Sequence, residues 1–221
     1  SLMYQTCGEY EMALRYLEES LLVQRAIGDR TGRGATLNNL SLIYHARGDY
    51  ETARQYLEGA LAHCRTISDR AGEGTTLNNL SQIYQAHGEY ETALRYLKES
   101  LAIHRAIGNR AGEGATLNNI SEIYHEHGEY ETALNCLEES LAIHRAIGNQ
   151  VGLCPTLFNM GHIYLKNEPQ KGLACFVAAY RIAKEIGYAE ALRNLENLVK
   201  QSGGSGLEDW ERLSQQMESG E

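Results

Sequence analysis

Two kinds of side chain recur in this sequence in a way that could do chemistry: histidine, as metal ligand or proton carrier, and asparagine, as a hydrogen-bonding amide. Eight histidines occur, but their spacing works against a metal. His125 and His127 are two apart and point to different sides of a helix, whereas helical ligand pairs sit at i and i+4. His104 and His144 occupy equivalent places 40 residues apart, which separates them by the width of a helix pair. The five cysteines, Cys7, Cys64, Cys136, Cys154 and Cys175, lack a Cys-x-x-Cys spacing and read as reduced thiols on buried helix faces in a cytoplasmic protein. No glycine-rich phosphate loop, nucleophile elbow or zinc-protease motif is present, so the expectation is a non-catalytic chain with no cofactor and no metal.

The asparagines are the stronger candidates. Asn38-Asn39, Asn78-Asn79 and Asn118-Asn119 recur at one place in successive segments, followed by Phe158-Asn159. Asparagine inside a helix costs several tenths of a kcal/mol against alanine, so its paired repetition implies a compensating use. Each amide offers two donors and an acceptor, and a ladder of them suits the N–H and C=O groups of an extended chain. The structural alternative is that the amides bond to one another or to neighbouring turns and stiffen the array. One turn further along, the otherwise near-identical segments differ. Leu42, Gln82, Glu122 and His162 form one column, and His45, Gln85 and His125 another, with Ala46, Ala86 and Glu126 beside them. The gradation, apolar near Leu42 and acidic near Glu122 and Glu126, suits a ligand with a basic residue toward the C-terminal half. Drift on a solvated face would produce the same variation.

These columns need elements to hold them in register, and the register is a repeat. Residues 71–110 and 111–150 are identical at 31 of 40 positions. The phrase T-L-N-N-L/I-S-x-I-Y occupies 36–44, 76–84 and 116–124, with a worn copy at 156–164, and G-E/D-Y-E-x-A begins at Gly8, Gly48, Gly88 and Gly128. Such a period marks stacked units that bury their apolar faces only against neighbours. Leu77, Leu80, Ile83 and Tyr84 form one helical stripe, and Tyr90, Ala93, Leu94, Leu97, Leu101 and Ile103 a second. Gly88 ends the first helix, and 109–112 breaks the second. Ser41, Ser81, Ser121 and Gly161, and Ala13, Ala53, Ala93, Ala133 and Gly172, form columns of small residues where helices cross closely. The fold class is all-α: antiparallel helix pairs in a right-handed α-solenoid. The recurring Arg25, Arg65, Arg105 and Arg145 read as salt-bridging or solvated outer positions.

The column of leucine, small residue and tyrosine, followed by Gly-x-Tyr and alanine, resembles the tetratricopeptide repeat. The 40-residue unit with L-N-N-L and the R-x-I-G turn is similar to the variant in kinesin light chains, Pins-type adaptors and many bacterial repeat proteins. The resemblance covers residues 1–187 and implies a concave surface lined by the first helices. There it implies a peptide-binding role for Asn38, Asn39, Asn78, Asn79, Asn118, Asn119 and Asn159, with Gln82, Glu122, His45, Gln85 and His125 alongside.

The organisation expected is a solenoid over 1–187, a capping helix over 188–202, a flexible joint at 203–206 and a short amphipathic tail helix over 207–221. Residues 1–8 align with 41–48, so the chain starts partway through a first helix, a helix over 9–27 exposes an apolar edge, and a fragment of a longer protein is favoured. At the other end Glu196 replaces the small serine, which excludes a closely packed second helix on that cap. Ser205 and Glu208 form a candidate capping box, and Leu207, Trp210, Leu213 and Met217 share one side of the tail, which docks on the cap or on a neighbouring molecule. The net charge of −9 argues against nucleic acid, and no stretch approaches the roughly 18 apolar residues of a membrane span. The expected partner is a protein or peptide segment in the concave groove. A regulatory segment of a larger signalling protein, and self-association through the truncated first repeat or the tail helix, are the alternatives.

Overall fold

The structure is a computed structural model that describes residues 2–219, with side chains over 10–217. Among the described residues it contains eleven α-helices and no strands. The chain divides into two compact units, Ser1–Gly112 and Glu113–Glu221. The first unit holds α1 (Leu2–Ile27), α2 (Arg30–Ala46), α3 (Tyr50–Thr66), α4 (Arg70–Ala86), α5 (Tyr90–Ala106) and the opening of α6 (Arg110–Glu126). The second holds the rest of α6, then α7 (Tyr130–Ala146), α8 (Gln150–Asn167), α9 (Pro169–Ile186), α10 (Ala189–Gln201) and α11 (Leu207–Ser219).

The turns between helices follow from a few residues. Gly48, Gly88 and Gly128 have φ of 76°, 75° and 78°, and Gly28, Gly108 and Gly148 lie between 65° and 73°. This left-handed geometry is where glycine carries no Cβ penalty. Ser68 occupies the same place in its repeat with φ of 59° and is the one non-glycine residue there. Asp29, Asp69, Asn109 and Asn149 then cap the following helices by accepting from the N–H of Gly32, Gly72, Gly112 and Gly152 at 2.9–3.1 Å, satisfying one of the orphan donors at each start.

In the first unit the core runs through Ala53, Leu57, Leu61, Leu77, Leu80, Ile83 and Ile103, and Tyr44 stacks on Tyr56 and Tyr84 on Tyr96 at 5.4 and 5.3 Å. In the second, a larger core gathers Leu137, Leu157, Met160, Phe176, Tyr180, Leu195 and Trp210. The small-residue columns lie at the crossings, with Ser41, Ser81, Ser121, Ala53, Ala93 and Ala133 all essentially buried. At the last crossing a Cβ on Gly161 would stand 2.6 Å from the Phe176 ring, and one on Gly172 would stand 2.9 Å from the Gly161 carbonyl.

Three expectations need correction. Helix α1 runs unbroken through Gly8 for 26 residues, so no turn divides 2–8 from 9–27. Its side chains before Tyr10 lie outside the described residues; beyond them Met12, Tyr16, Leu22, Val23 and Ile27 are exposed, giving the expected apolar edge. Secondly, α10 does carry a closely packed second helix. Glu196 turns outward to Lys200 at 2.5 Å, and α11 settles through Trp210, which is 4% exposed and donates from Nε1 to the Leu195 carbonyl at 2.9 Å. The tail therefore docks on its own chain, against α9 and α10, although Met217 stays exposed. Thirdly, the α11 cap is Asp209, not Glu208: its Oδ2 accepts from the N–H of Ser205 at 2.6 Å and of Gly206 at 3.3 Å.

Candidate functional site

The recurring histidines belong to the scaffold. His104 and His144 are each 2% exposed. The His104 imidazole lies in a slot between Gly74 and Gly112, where an added Cβ would come within 2.8 and 2.6 Å of the ring, and Gly114 faces His144 in the same way at 2.7 Å. Their Nδ1 atoms pair with the cap amides of Asn109 and Asn149 at 3.2 and 3.1 Å, and burial lowers the pKa of His144. An imidazole filling a glycine slot explains why the two residue types recur together.

The asparagine pairs are split between two environments. A residue pair on a helix cannot point the same way, because successive side chains are about 100° apart. In the first unit Asn38 faces inward and is 7% exposed, while Asn39 is exposed. Asn38 Nδ2 donates to the Gly34 carbonyl at 3.1 Å and to Thr76 Oγ1 at 2.8 Å, and its Oδ1 accepts from Asn79 Nδ2 at 3.1 Å. Asn78 and Asn79 are partly buried. The inward amide thus ties α2 to α4, which brings Asn38 and Asn79 together as a node. Beside it, Gln82 and His45 are partly buried, and His45 lies edge-on to Tyr50 at 5.2 Å, its pKa lowered by burial. Gln85 lies on the same face of α4, also partly buried.

In the second unit the same node is rebuilt around a charge. Asn118 is 6% exposed, and its Oδ1 accepts from Asn159 Nδ2 at 3.3 Å. Glu122, one turn on, draws both amides: Asn118 Nδ2 and Asn159 Nδ2 donate to its Oε1 at 3.1 and 2.9 Å. Burial pushes the Glu122 pKa up, and Glu126 adds to the shift, while the two amide bonds oppose it. His125 and His162 stand close by, both held toward neutrality by burial. Asn119 lies partly buried on α6 next to Asn118.

Glu122 and Asn159 also open onto a cleft of about 210 Å³. Its walls come from α8 through Pro155 and Phe158, and from the start of α10 through Glu190, Asn194 and Leu195. Tyr188 donates to Glu190 at 3.2 Å at the same place. Phe158, Glu190 and Asn194 were not among the residues singled out by sequence. Asn194 had a signal, since Leu192-Arg193-Asn194-Leu195 places it at the position of Asn39, Asn79, Asn119 and Asn159; the shortened spacing hid it.

Among the described residues no helix is long and apolar enough to cross a membrane. The fold is found in solved structures that share little sequence with it. The protein BtubC (BKLC) from P. vanneervenii is 23% identical, with a TM-score of 0.66 over 83% of this chain and 76% of that one. A Rap protein complexed with Competence and Sporulation Factor is 16% identical, with a TM-score of 0.76 over 88% and 55%, and NprR in complex with its cognate peptide NprX is 19% identical, with a TM-score of 0.66 over 80% and 51%. The chain spans about half the length of the latter two, and at these identities the likeness concerns the fold. No curated protein matches the chain by sequence. The family model of the tetratricopeptide repeat matches residues 1–66, 33–106 and 72–146, and with helix pairs, glycine turns and small-residue crossings in the places that repeat requires, the chain belongs to the tetratricopeptide-repeat family.

Proposed function

We propose that this chain is a non-catalytic scaffold that binds an extended peptide or protein segment through the asparagine-bearing first helices. The observation that carries this reading is the recurrence of asparagines on the first helices, one amide buried at Asn38 and Asn118 and its neighbour more accessible. The inward amides of Asn38 and Asn118 are buried and engaged, Asn38 with Thr76 and Asn79 of the next repeat, Asn118 with Asn159 of the next repeat and with Glu122 of its own helix. The second column is more accessible: Asn39 and Asn194 are exposed, and Asn79, Asn119 and Asn159 are partly buried, with Asn79 and Asn159 each donating from Nδ2 to the inward asparagine. Amides already placed on folded helices pair with a peptide backbone without having to be ordered on binding. Two proteins of the same fold, the Rap protein and NprR, are described in complex with Competence and Sporulation Factor and with a cognate peptide, which supports the same use of the fold here. Gln82, Gln85, His45 and His125, on the same helices, would then meet side chains of the bound segment.

The test is selection of a displayed library of random heptapeptides on the whole chain and on a triple variant, Asn39→Ala, Asn79→Ala and Asn119→Ala, matched for helicity and melting. Peptides retained by the parent and lost by the variant support the reading. Equal retention by both proteins, or retention by neither, overturns it and leaves the asparagines a purely structural role.

A further inference from the structure

We propose that the cleft beside Glu122 is a subsite for a cationic side chain, lysine or arginine, of the segment bound by the asparagine column. The inference rests on the peptide-binding reading and adds the chemistry of one position. Among the described residues no lysine or arginine is paired with the Glu122 carboxylate. Its hydrogen-bond donors are the neutral amides of Asn118 and Asn159, both at Oε1, and the charge that acts on it is the like charge of Glu126. Lys166 is engaged with the Tyr130 hydroxyl at 2.6 Å and with that ring's face. A partly buried carboxylate has lost hydration that neutral donors only partly replace, and an arriving cation supplies the remainder.

The cleft has the shape and the order of chemistry that such a side chain needs. Pro155, Phe158 and Leu195 line it with apolar surface, suited to the methylene stem that lysine and arginine bury while keeping their charge on polar partners. Glu122 and Glu190 both line it, so the cleft carries two carboxyl groups and no basic residue among its lining. The Phe158 ring adds an aromatic face. A volume of about 210 Å³ accommodates one side chain and excludes a folded partner. The equivalent place on α2 is Leu42, which is 46% exposed, and on α4 it is Gln82, so the first unit offers no such charge. An acidic ligand is disfavoured by the same carboxylates.

The experiment extends the heptapeptide selection to Glu122→Gln, an isosteric change that keeps the amide bonds possible. Selected peptides are then synthesised with their basic residue replaced by norleucine, which retains the stem and removes the charge. The expected result is enrichment of lysine or arginine at one peptide position on the parent and its loss on Glu122→Gln. Kd should weaken by about tenfold for either change alone and by little more for both together. The norleucine comparison on the parent stands even where Glu122→Gln proves unstable. Peptides without a basic preference that still require Asn39, Asn79 and Asn119 overturn the subsite and leave the scaffold reading intact. So does a norleucine penalty that is the same on parent and variant. No enrichment on either protein removes both readings.

Discussion

The two units carry the same phrase, T-L-N-N-L/I-S, and use it differently. In the first, the inward asparagine bonds to a threonine hydroxyl and a neighbouring amide, all neutral: Asn38 to Thr76 and Asn79. In the second, one change four residues on, from Leu42 to Glu122, redirects the amides. Asn118 and Asn159 both donate to the carboxylate, while Thr156 keeps the carbonyl bond that Thr76 also makes and pairs with Ser140 in place of the inward asparagine. Hydrogen bonds to an ionised acceptor are roughly twice as strong as neutral ones, so the carboxylate wins the competition. Near-identical repeats can thus share a backbone and still differ in charge at the surface they present.

The largest expected effect separates the units most sharply. Trp210→Ala removes the ring that fixes α11 on α10 and leaves the Leu195 carbonyl without its donor. Truncation of a buried tryptophan costs about 3–5 kcal/mol, and hydrogen exchange should quicken in α10 and α11 while α2–α4 keep their protection. Because Leu195 lines the Glu122 cleft, the same variant should lose any peptide preference set there.

A smaller effect tests the rewired node. Asn38→Ala and Asn118→Ala should each cost about 1–3 kcal/mol by removing buried hydrogen bonds, with Asn118→Ala the larger because one of its bonds goes to a carboxylate. In a Glu122→Leu background the cost of Asn118→Ala should fall to that of Asn38→Ala. Chemical denaturation of the parent, the three single variants and the double variant reads the difference, and equal costs in both backgrounds would show that the carboxylate does not compete for the amide.

The third effect is one of pH and runs in opposite directions at two sites. Burial raises the Glu122 pKa above its ordinary 4.5, so the folded state holds that proton to higher pH than the unfolded chain does. Its stability contribution is fully present below 4.5 and is lost as pH rises through the folded pKa. Glu122→Gln should therefore melt higher than the parent at neutral pH. His144 is the reverse: burial lowers its pKa below 6.5, so its contribution is present above 6.5 and is lost as pH falls through the folded pKa. Carboxyl and imidazole NMR titrations of the two residues report both directions.

The smallest effect lies in the first unit. Ser68 holds φ of 59° where Gly28, Gly108 and Gly148 stand in the other repeats. A side chain in that region costs roughly 1–2 kcal/mol, part of which glycine returns as unfolded-state entropy. Ser68→Gly should stabilise the protein by about 1 kcal/mol, measured by urea denaturation.

Much of this molecule was legible in its residues because repeats state the same constraint several times. The glycines at 48, 88 and 128, the serine and alanine columns and the helical stripes define helix pairs, since each feature answers to local backbone geometry or to contact with the adjacent helix. The same logic failed at Gly8, where the phrase is present but α1 continues; a glycine permits a turn without compelling one. It failed again at Glu196, where a large side chain in the small-residue column suggested an end, yet the side chain swings out to Lys200 and Trp210 fills the contact.

What the sequence by itself determined is the repeat, its helical register and the recurrence of paired amides, because periodic spacing along a helix dictates which residues share a face. What only the tertiary structure decided is which amides are buried and which acceptors they reach. It also decided that the tail closes on its own chain, and that Glu122 meets Phe158, Glu190 and Asn194 at one cleft. Those outcomes depend on side chains as much as 72 residues apart competing for the same donors and the same space, and no pattern along the chain records which of them wins.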